Sequence, residues 1–288
     1  MSSAELTETA TTGPTRRPRV GIGQLGNELR LVFRRRRNLA MLLLLVAVPI
    51  FIGIAVKVST PQPGQGPPFI SQLTNNGLFL AFTALAVCLP VFLPLAVAVI
   101  AGDAVAGEAN AGTLRYLLTI PVSRTRLLVI KSLGILVYAA AAVLLVTVVG
   151  IITGVALFGT HGVTLLSGTT VPLWDGILRA LAVALYVLID LVGLAAIGLF
   201  FSTLTEVPIG AMAATVVSAI GFAILDSVPQ LGAIRSLLLT HHWLDFDELL
   251  RSSPDVGSLV RWSLVPLAYA VIFVAASWSR ITTADVTS

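Results

Sequence analysis

Apolar residues along this chain run in long blocks rather than in the alternations of a soluble fold. Six stretches, at about 39–57, 78–101, 129–158, 177–201, 207–226 and 260–279, are apolar almost throughout. Each reaches the roughly twenty residues an α-helix needs to cross about 30 Å of hydrocarbon at 1.5 Å per residue. The pattern predicts an all-α integral membrane protein with six transmembrane helices. Between the first two blocks, PQPGQGPPF forbids a regular helix and marks a loop, and 159–176 is a second polar loop rich in Gly and Thr. Residues 1–22, rich in Thr, Ser, Pro and Arg, are too polar to bury a core and read as a disordered tail; 280–288 form a second short tail. Over 23–38 the pattern changes to Leu25, Leu29, Val32 and Phe33 at helical spacing beside Asn27, Glu28, Arg30 and the run Arg34, Arg35, Arg36, Arg37. This predicts an amphipathic helix at the membrane surface, anchored by the four arginines, which serve equally as a plain stop signal before the first span. Residues 227–259 contain apolar pieces too short to cross. They predict a pair of short outer helices, re-entrant or surface-lying, between spans five and six.

Composition agrees. The 288 residues have a mean hydropathy of +0.95, with 56% hydrophobic and 11% charged residues, against about a quarter charged in soluble domains. The formal net charge is +4; the basic residues adjoin apolar blocks, so orientation in a membrane explains them better than nucleic acid does. With the N-terminus inside, thirteen of the 18 Lys and Arg face the cytoplasm, which predicts a multi-pass cell-membrane protein with both termini cytoplasmic. Trp262 and Trp278 stand roughly 24 Å apart along a helix, as two interfacial anchors of the last span would. The pattern GIITG, Gly150 to Gly154, permits close helix packing. Cys88 is the only cysteine, which excludes an intramolecular disulfide and a thiolate metal cluster. No small-residue cleavage site follows the first apolar run, so a removable signal peptide is not expected.

The most informative stretch is polar. Gly102 to Ser132, on the cytoplasmic side between spans two and three, is too long for a turn and too patterned for a linker. Leu114, Leu117 and Leu118 share one side of a short helix, Pro121 ends it, and Ser123 caps the next, which carries Arg124, Arg126 and Lys131 into the third span. A short helix tied between two spans is a place where a motor can grip. It is equally a structured basic loop that sets topology.

The string GEANAGTLRYLLTIPVSRTRLLVIK, Gly107 to Lys131, resembles the hallmark of ABC type-2 exporter permeases through Glu108, Gly112, Thr113, Leu114, Leu117, Leu118, Pro121, Ser123, Arg124 and Lys131. The six-span plan, the amphipathic N-terminal helix and the outer insertion extend the resemblance over nearly the whole chain. It implies that the segment is a coupling helix seated in a groove of a separate nucleotide-binding subunit. The contact would involve Glu108, Gly112, Thr113, Leu114, Arg115, Leu117, Leu118, Pro121, Ser123, Arg124 and Arg126. Ala109 and Asn110 stand where the family often carries charge, which alters the polarity of that contact. The resemblance further implies two ABC ATPase subunits per complex and a second copy of the chain or a sister permease. ATP and Mg would be bound by the partner and none by this chain. A Walker A motif needs a lysine directly after glycine, and the chain's two lysines, Lys57 and Lys131, follow Val56 and Ile130. The expectation is therefore a non-catalytic permease subunit, in contact with the lipid bilayer and not with nucleic acid. It would export a hydrophobic or amphipathic cargo such as a drug, antibiotic or lipid.

Asp190 lies inside the fourth span, where an ionisable side chain is expensive and marks helix pairing, a polar pathway or ion coupling. The rival readings are a secondary transporter coupled to protons or cations through Asp190, and a membrane scaffold without cargo. Glu206 sits in a short cytoplasmic turn. His241 and His242 are neighbours whose side chains diverge, a poor start for a metal site even with Asp245 or Asp247.

Overall fold

The computed structural model describes residues 22–59, 77–112, 124–159, 163–164 and 170–283. The helices are α1 Ile22–Arg34, α2 Arg36–Val58, α3 Phe79–Cys88, α4 Phe92–Asp103, α5 Ala106–Asn110, α6 Arg124–Phe158, α7 Leu173–Leu204, α8 Pro208–Asp226 and α9 Val256–Thr283. Two 3₁₀ segments, Pro229–Leu237 and Asp245–Leu250, lie between α8 and α9. Strands β1 Val163–Thr164 and β2 Thr170–Val171 make a two-residue antiparallel ladder between α6 and α7. The chain is thus essentially all-helical. Five of its helices are long and apolar enough to cross a membrane, or six if the bent pair α3–α4 counts as one span.

That bend is the main departure from six plain spans. The expected helix over 78–101 breaks at Pro90 and Val91, and its halves meet at 54°. Pro94 explains the break: within a continuous helix its ring would collide with the carbonyl of residue 90, so the helix restarts and takes Pro94 into its first turn. Both halves are nonetheless the most deeply packed part of the molecule, with Leu80, Leu85, Leu89 and Leu93 fully buried against α6 and α7. Close approach is bought with small residues. A Cβ on Gly150 would stand 2.7 Å from the Ala81 Cα, and one on Gly154 would overlap the Gly77 carbonyl, so the GIITG stretch is where α6 meets the start of α3.

The outer helices show the reverse distribution. Phe51 on α2, Val217 on α8 and Val271 on α9 remain about two-thirds exposed. Water would penalise each such side chain by roughly 1.5–3 kcal/mol relative to burial, and hydrocarbon does not. Apolar surfaces around an apolar core make this a multi-pass membrane protein. α2, α6, α7 and α9 run a few residues beyond their apolar blocks, whereas α8 keeps to its own. α6, with 35 residues, is about 52 Å long at helical rise and starts well before any 30 Å layer.

Residues 227–255 divide in two: Pro229–Leu237 contributes no buried residue, whereas the stretch from Leu238 to Leu250 is partly buried. Leu238, Leu239, His242, Trp243, Phe246 and Leu250 are buried between α7 and α9, and a Cβ on Gly193 would stand 2.6 Å from a Leu239 methyl and 3.0 Å from the Pro266 carbonyl. The segment is a plug. His242 fixes it: Nδ1 pairs with the Asp245 carboxylate, Nε2 lies 3.2 Å from the Ser236 carbonyl, and the ring stacks on Trp262 at 4.1 Å. The Tyr186 hydroxyl donates to the His242 carbonyl at 2.8 Å. Trp262, expected as a lipid anchor, is therefore engaged by the plug.

Candidate functional site, a charged joint beside the coupling segment

The N-terminal tail and the core of the segment that resembles a coupling helix, with Thr113, Leu114, Arg115, Leu117, Leu118, Pro121 and Ser123, lie outside the described residues. Its two stubs are described, and both are pinned. Helix α5 leaves the end of α4 through Val105 and Ala106, whose backbone N–H groups donate to the Ser202 hydroxyl of α7 at 3.0 and 2.9 Å, while that hydroxyl donates to the Gly102 carbonyl at 2.8 Å. One buried serine thus satisfies orphan backbone groups of a helix start with no cap of its own. At the other stub Arg124 donates to the carbonyls of Ile281 and Thr282, 2.8 and 3.1 Å away, at the open C-terminal end of α9. The Trp278 indole donates to the Thr125 hydroxyl at 3.0 Å. Arg126 is half-buried at the same helix start.

Between the stubs sits an ion cluster. Lys131, 5% exposed, points its ammonium between Glu28 of α1, 2.9 Å away, and Glu108 of α5, which it also pairs. Glu108, which the resemblance puts at or near the contact with a partner, pairs here with Lys131. Glu28, named in the sequence only beside the apolar positions, makes with Leu25, Leu29 and Val32 the set i, i+3, i+4, i+7, so it lies within the apolar stripe, and that stripe packs on α6. An acid within such a stripe, and a lysine inside the apolar run LLVIKSLG, were the signals that could have paired them.

A second cluster adjoins. Asp103 at the end of α4 pairs with Arg35 and, at 3.1 Å, with Arg37. Two of the four arginines expected as membrane anchors therefore hold α4; Arg34 and Arg36 are exposed. Arg35 is extended and breaks α1 from α2. The corner is held by Asn38, whose side-chain amide donates to the Val32 carbonyl at 2.8 Å, and by Tyr138, whose hydroxyl donates to the Asn38 carbonyl at 3.0 Å.

Two cavities flank the Lys131 cluster. A small one of about 40 Å³ is bounded by Arg35, Asn38, Asp103, Glu28, Glu108 and Lys131. A larger one of about 340 Å³ opens past Gln24, Asn27, Leu127 and Ile130 and shares Glu28, Glu108 and Lys131 with the first. Asn38, one of the residues lining the small cavity, is 2% exposed, and its Oδ1 has no hydrogen-bond partner. Gly112 closes α5 with φ +67 and open space around it, a left-handed backbone that glycine adopts without steric cost.

Asp190 is not part of this joint. It is 1% exposed within α7, and its Oδ2 has no partner. Glu206 is exposed in the turn between α7 and α8. Among the described residues no group of three or more His, Cys, Asp or Glu is placed to hold a metal ion.

A family described as a protein of unknown function, DUF2705, has a model that matches residues 50–287. The match takes in every described element except α1 and the first half of α2. No curated protein matches the chain.

Proposed function

The chain belongs to the DUF2705 family, and we propose that it is the permease half of an ATP-driven exporter of the ABC type-2 kind. Counting α3–α4 as one broken crossing gives six, since α3 starts beside Gly154 at one end and α4 ends at Arg35 and Arg37 at the other. Both termini and the coupling segment then face the cytoplasm. Two ATPase subunits bind ATP and Mg and seat the coupling segments of this chain and of a second copy or sister permease. The observation that carries this reading is the pinning of both stubs: a push on residues 113–123 is delivered at once to α1 and α6 through Lys131, to α7 through Ser202 and to α9 through Arg124. A loop that merely sets topology needs no such fixing.

A hydrophobic or amphipathic cargo is favoured by an apolar crevice of about 130 Å³ between α6, α7 and α9, lined by Leu133, Leu136, Ala139, Leu191, Ala195 and Val274 among others. The test is purification of the tagged full chain from its native membrane. An ATPase subunit should copurify, and export by the reconstituted pair should stop when the ATPase's phosphate-binding lysine is replaced. Transport by this chain alone on an ion gradient would overturn the reading. It would favour coupling through Asp190, the second reading, whose support is that acid's partnerless buried oxygen.

A further inference from the structure

We propose that the folded chain holds His242 as an imidazolium, so that the seating of the plug on α7 and α9 follows the proton concentration at that end of the molecule. The lock is independent of the reading as an ABC permease, and only its consequence for export rests on that reading.

A neutral imidazole carries one N–H and a lone pair on its other nitrogen, whereas an imidazolium donates from both. Both nitrogens of His242 face acceptors: Nδ1 meets the Asp245 carboxylate, and Nε2 lies 3.2 Å from the Ser236 carbonyl. Whichever tautomer a neutral ring adopts, it turns a lone pair on an oxygen. His242 is 6% exposed, so the unmatched acceptor has no ready recourse to water. With two protons every contact is matched, and the stack on Trp262 at 4.1 Å gains the attraction of a cation for an aromatic face. His241 differs. Its Nδ1 meets the Asp226 carboxylate, which Arg235 also pairs at 3.3 Å, so the single N–H of a neutral ring suffices there. The two rings stand edge to face with centroids 4.6 Å apart, where a charge on both would repel. One extra proton therefore serves the pair, and it belongs to His242.

The surrounding charges favour that proton. On α7, Tyr186 bonds the His242 carbonyl and Gly193 meets Leu239, so Asp190, between them on the same helix face, is an acid on the plug's side. Arg261 of α9, 5.3 Å from the Trp262 ring, opposes a positive His242, but the Asp245 carboxylate is in direct contact and outweighs it. Other charges of this end are engaged elsewhere: Arg179 with Asp175, Arg251 with Glu248, and Asp255 with the first turn of α9, while Asp247 is exposed. Asp245, its side chain 41% exposed, links the buried ring to water and gives the proton its route. The ring thus ties the 3₁₀ segment through Ser236, the plug through Asp245 and α9 through Trp262. Raising the pH removes the proton, unmatches one of these contacts and loosens the plug. On the permease reading this end faces the outer solution, so acid outside keeps the outlet closed.

Three full-length forms test this in lipid nanodiscs, both faces open to buffer and no ATPase present: the natural chain, Asp245→Asn and His241→Gln. Asp245→Asn keeps the side chain's shape and lets its amide donate to a neutral Nδ1, so the site no longer needs the second proton. Hydrogen–deuterium exchange over residues 238–250, corrected for its intrinsic pH dependence, is read at about pH 5.5 and about pH 8.5, either side of the ordinary imidazole value near 6.5. Protection in the natural chain should be about tenfold greater at the acid pH, the effect of one matched buried contact. His241→Gln should keep that difference and Asp245→Asn should lose it. Equal protection of the natural chain at both pH values overturns the lock, as does a tenfold difference that survives Asp245→Asn or vanishes in His241→Gln. Ring 15N spectra of the natural chain at about pH 7 read the same site without any variant. Both His242 nitrogens should carry hydrogen, and a nitrogen with a free lone pair overturns the proposal. Because no ATPase takes part, failure of one to copurify strikes the permease reading alone.

Discussion

Two acids show how differently a membrane protein can treat a buried charge. Glu108 and Glu28 both pair with the buried Lys131. Asp190 is only 1% exposed, yet one of its oxygens lacks a partner. An unsatisfied buried polar group costs about 1–3 kcal/mol, so Asp190→Leu should stabilise the detergent-solubilised chain by roughly that amount, read as a higher unfolding temperature. A lower one would mean that the carboxyl works within a network. The residue sequence alone could expose was Asp190, because a single acid in YVLIDLVG has no local excuse. Glu28 was not legible in the same way, since a surface helix with an acid near its apolar edge is unremarkable until the cation it faces, about a hundred residues on, is folded against it.

At the scale of elements, length and hydrophobicity were enough for the long apolar helices, and the departures have local causes. Pro90 and Pro94 were visible, but an apolar run interrupted by proline reads as a kinked span or a break, and only the packing of both halves decides how sharp it is. The GIITG stretch carried its meaning in the sequence, and the structure supplies its counterpart, Gly77 and Ala81. The plug was the hardest to place. Its aromatic and acidic residues fit an interface equally well, and its depth is set by Leu239 meeting Gly193, a contact across unrelated stretches. His242 should be the keystone, because it joins Asp245, the Ser236 carbonyl and Trp262 in one ring. His242→Ala should cost about 2–4 kcal/mol by leaving buried groups unpaired and an aromatic face empty. Placed beside Leu239→Cys, it should turn a thiol that resists a water-soluble maleimide into one that reacts. Equal labelling with and without His242 would show that the plug holds by apolar packing alone.

Over the whole molecule the two ends differ in charge, and pairing sharpens the difference. At the end opposite the joint, Arg179 is bound to Asp175 and to the carbonyls of Leu249 and Arg251, Arg235 to Asp226, and Arg251 to Glu248; Arg261 lies over Trp262 and Lys57 donates to the Leu157 carbonyl. Those basic side chains are largely spent within the protein. At the joint end Arg30, Arg34, Arg36 and Arg280 are exposed. The raw count of Lys and Arg therefore understates the difference in unpaired basic charge between the two ends, which under the proposed reading is what would orient the chain. Single cysteines offer a direct check, since Cys88 is fully buried and should stay silent. In intact cells, cysteines at Gly257 and Ser253 should react with an impermeant maleimide, whereas those at Gln24 and Thr283 should react only after permeabilisation. The reverse pattern would put the coupling segment on the side without ATP, and the reading as the permease of an ATP-driven exporter would fall with it.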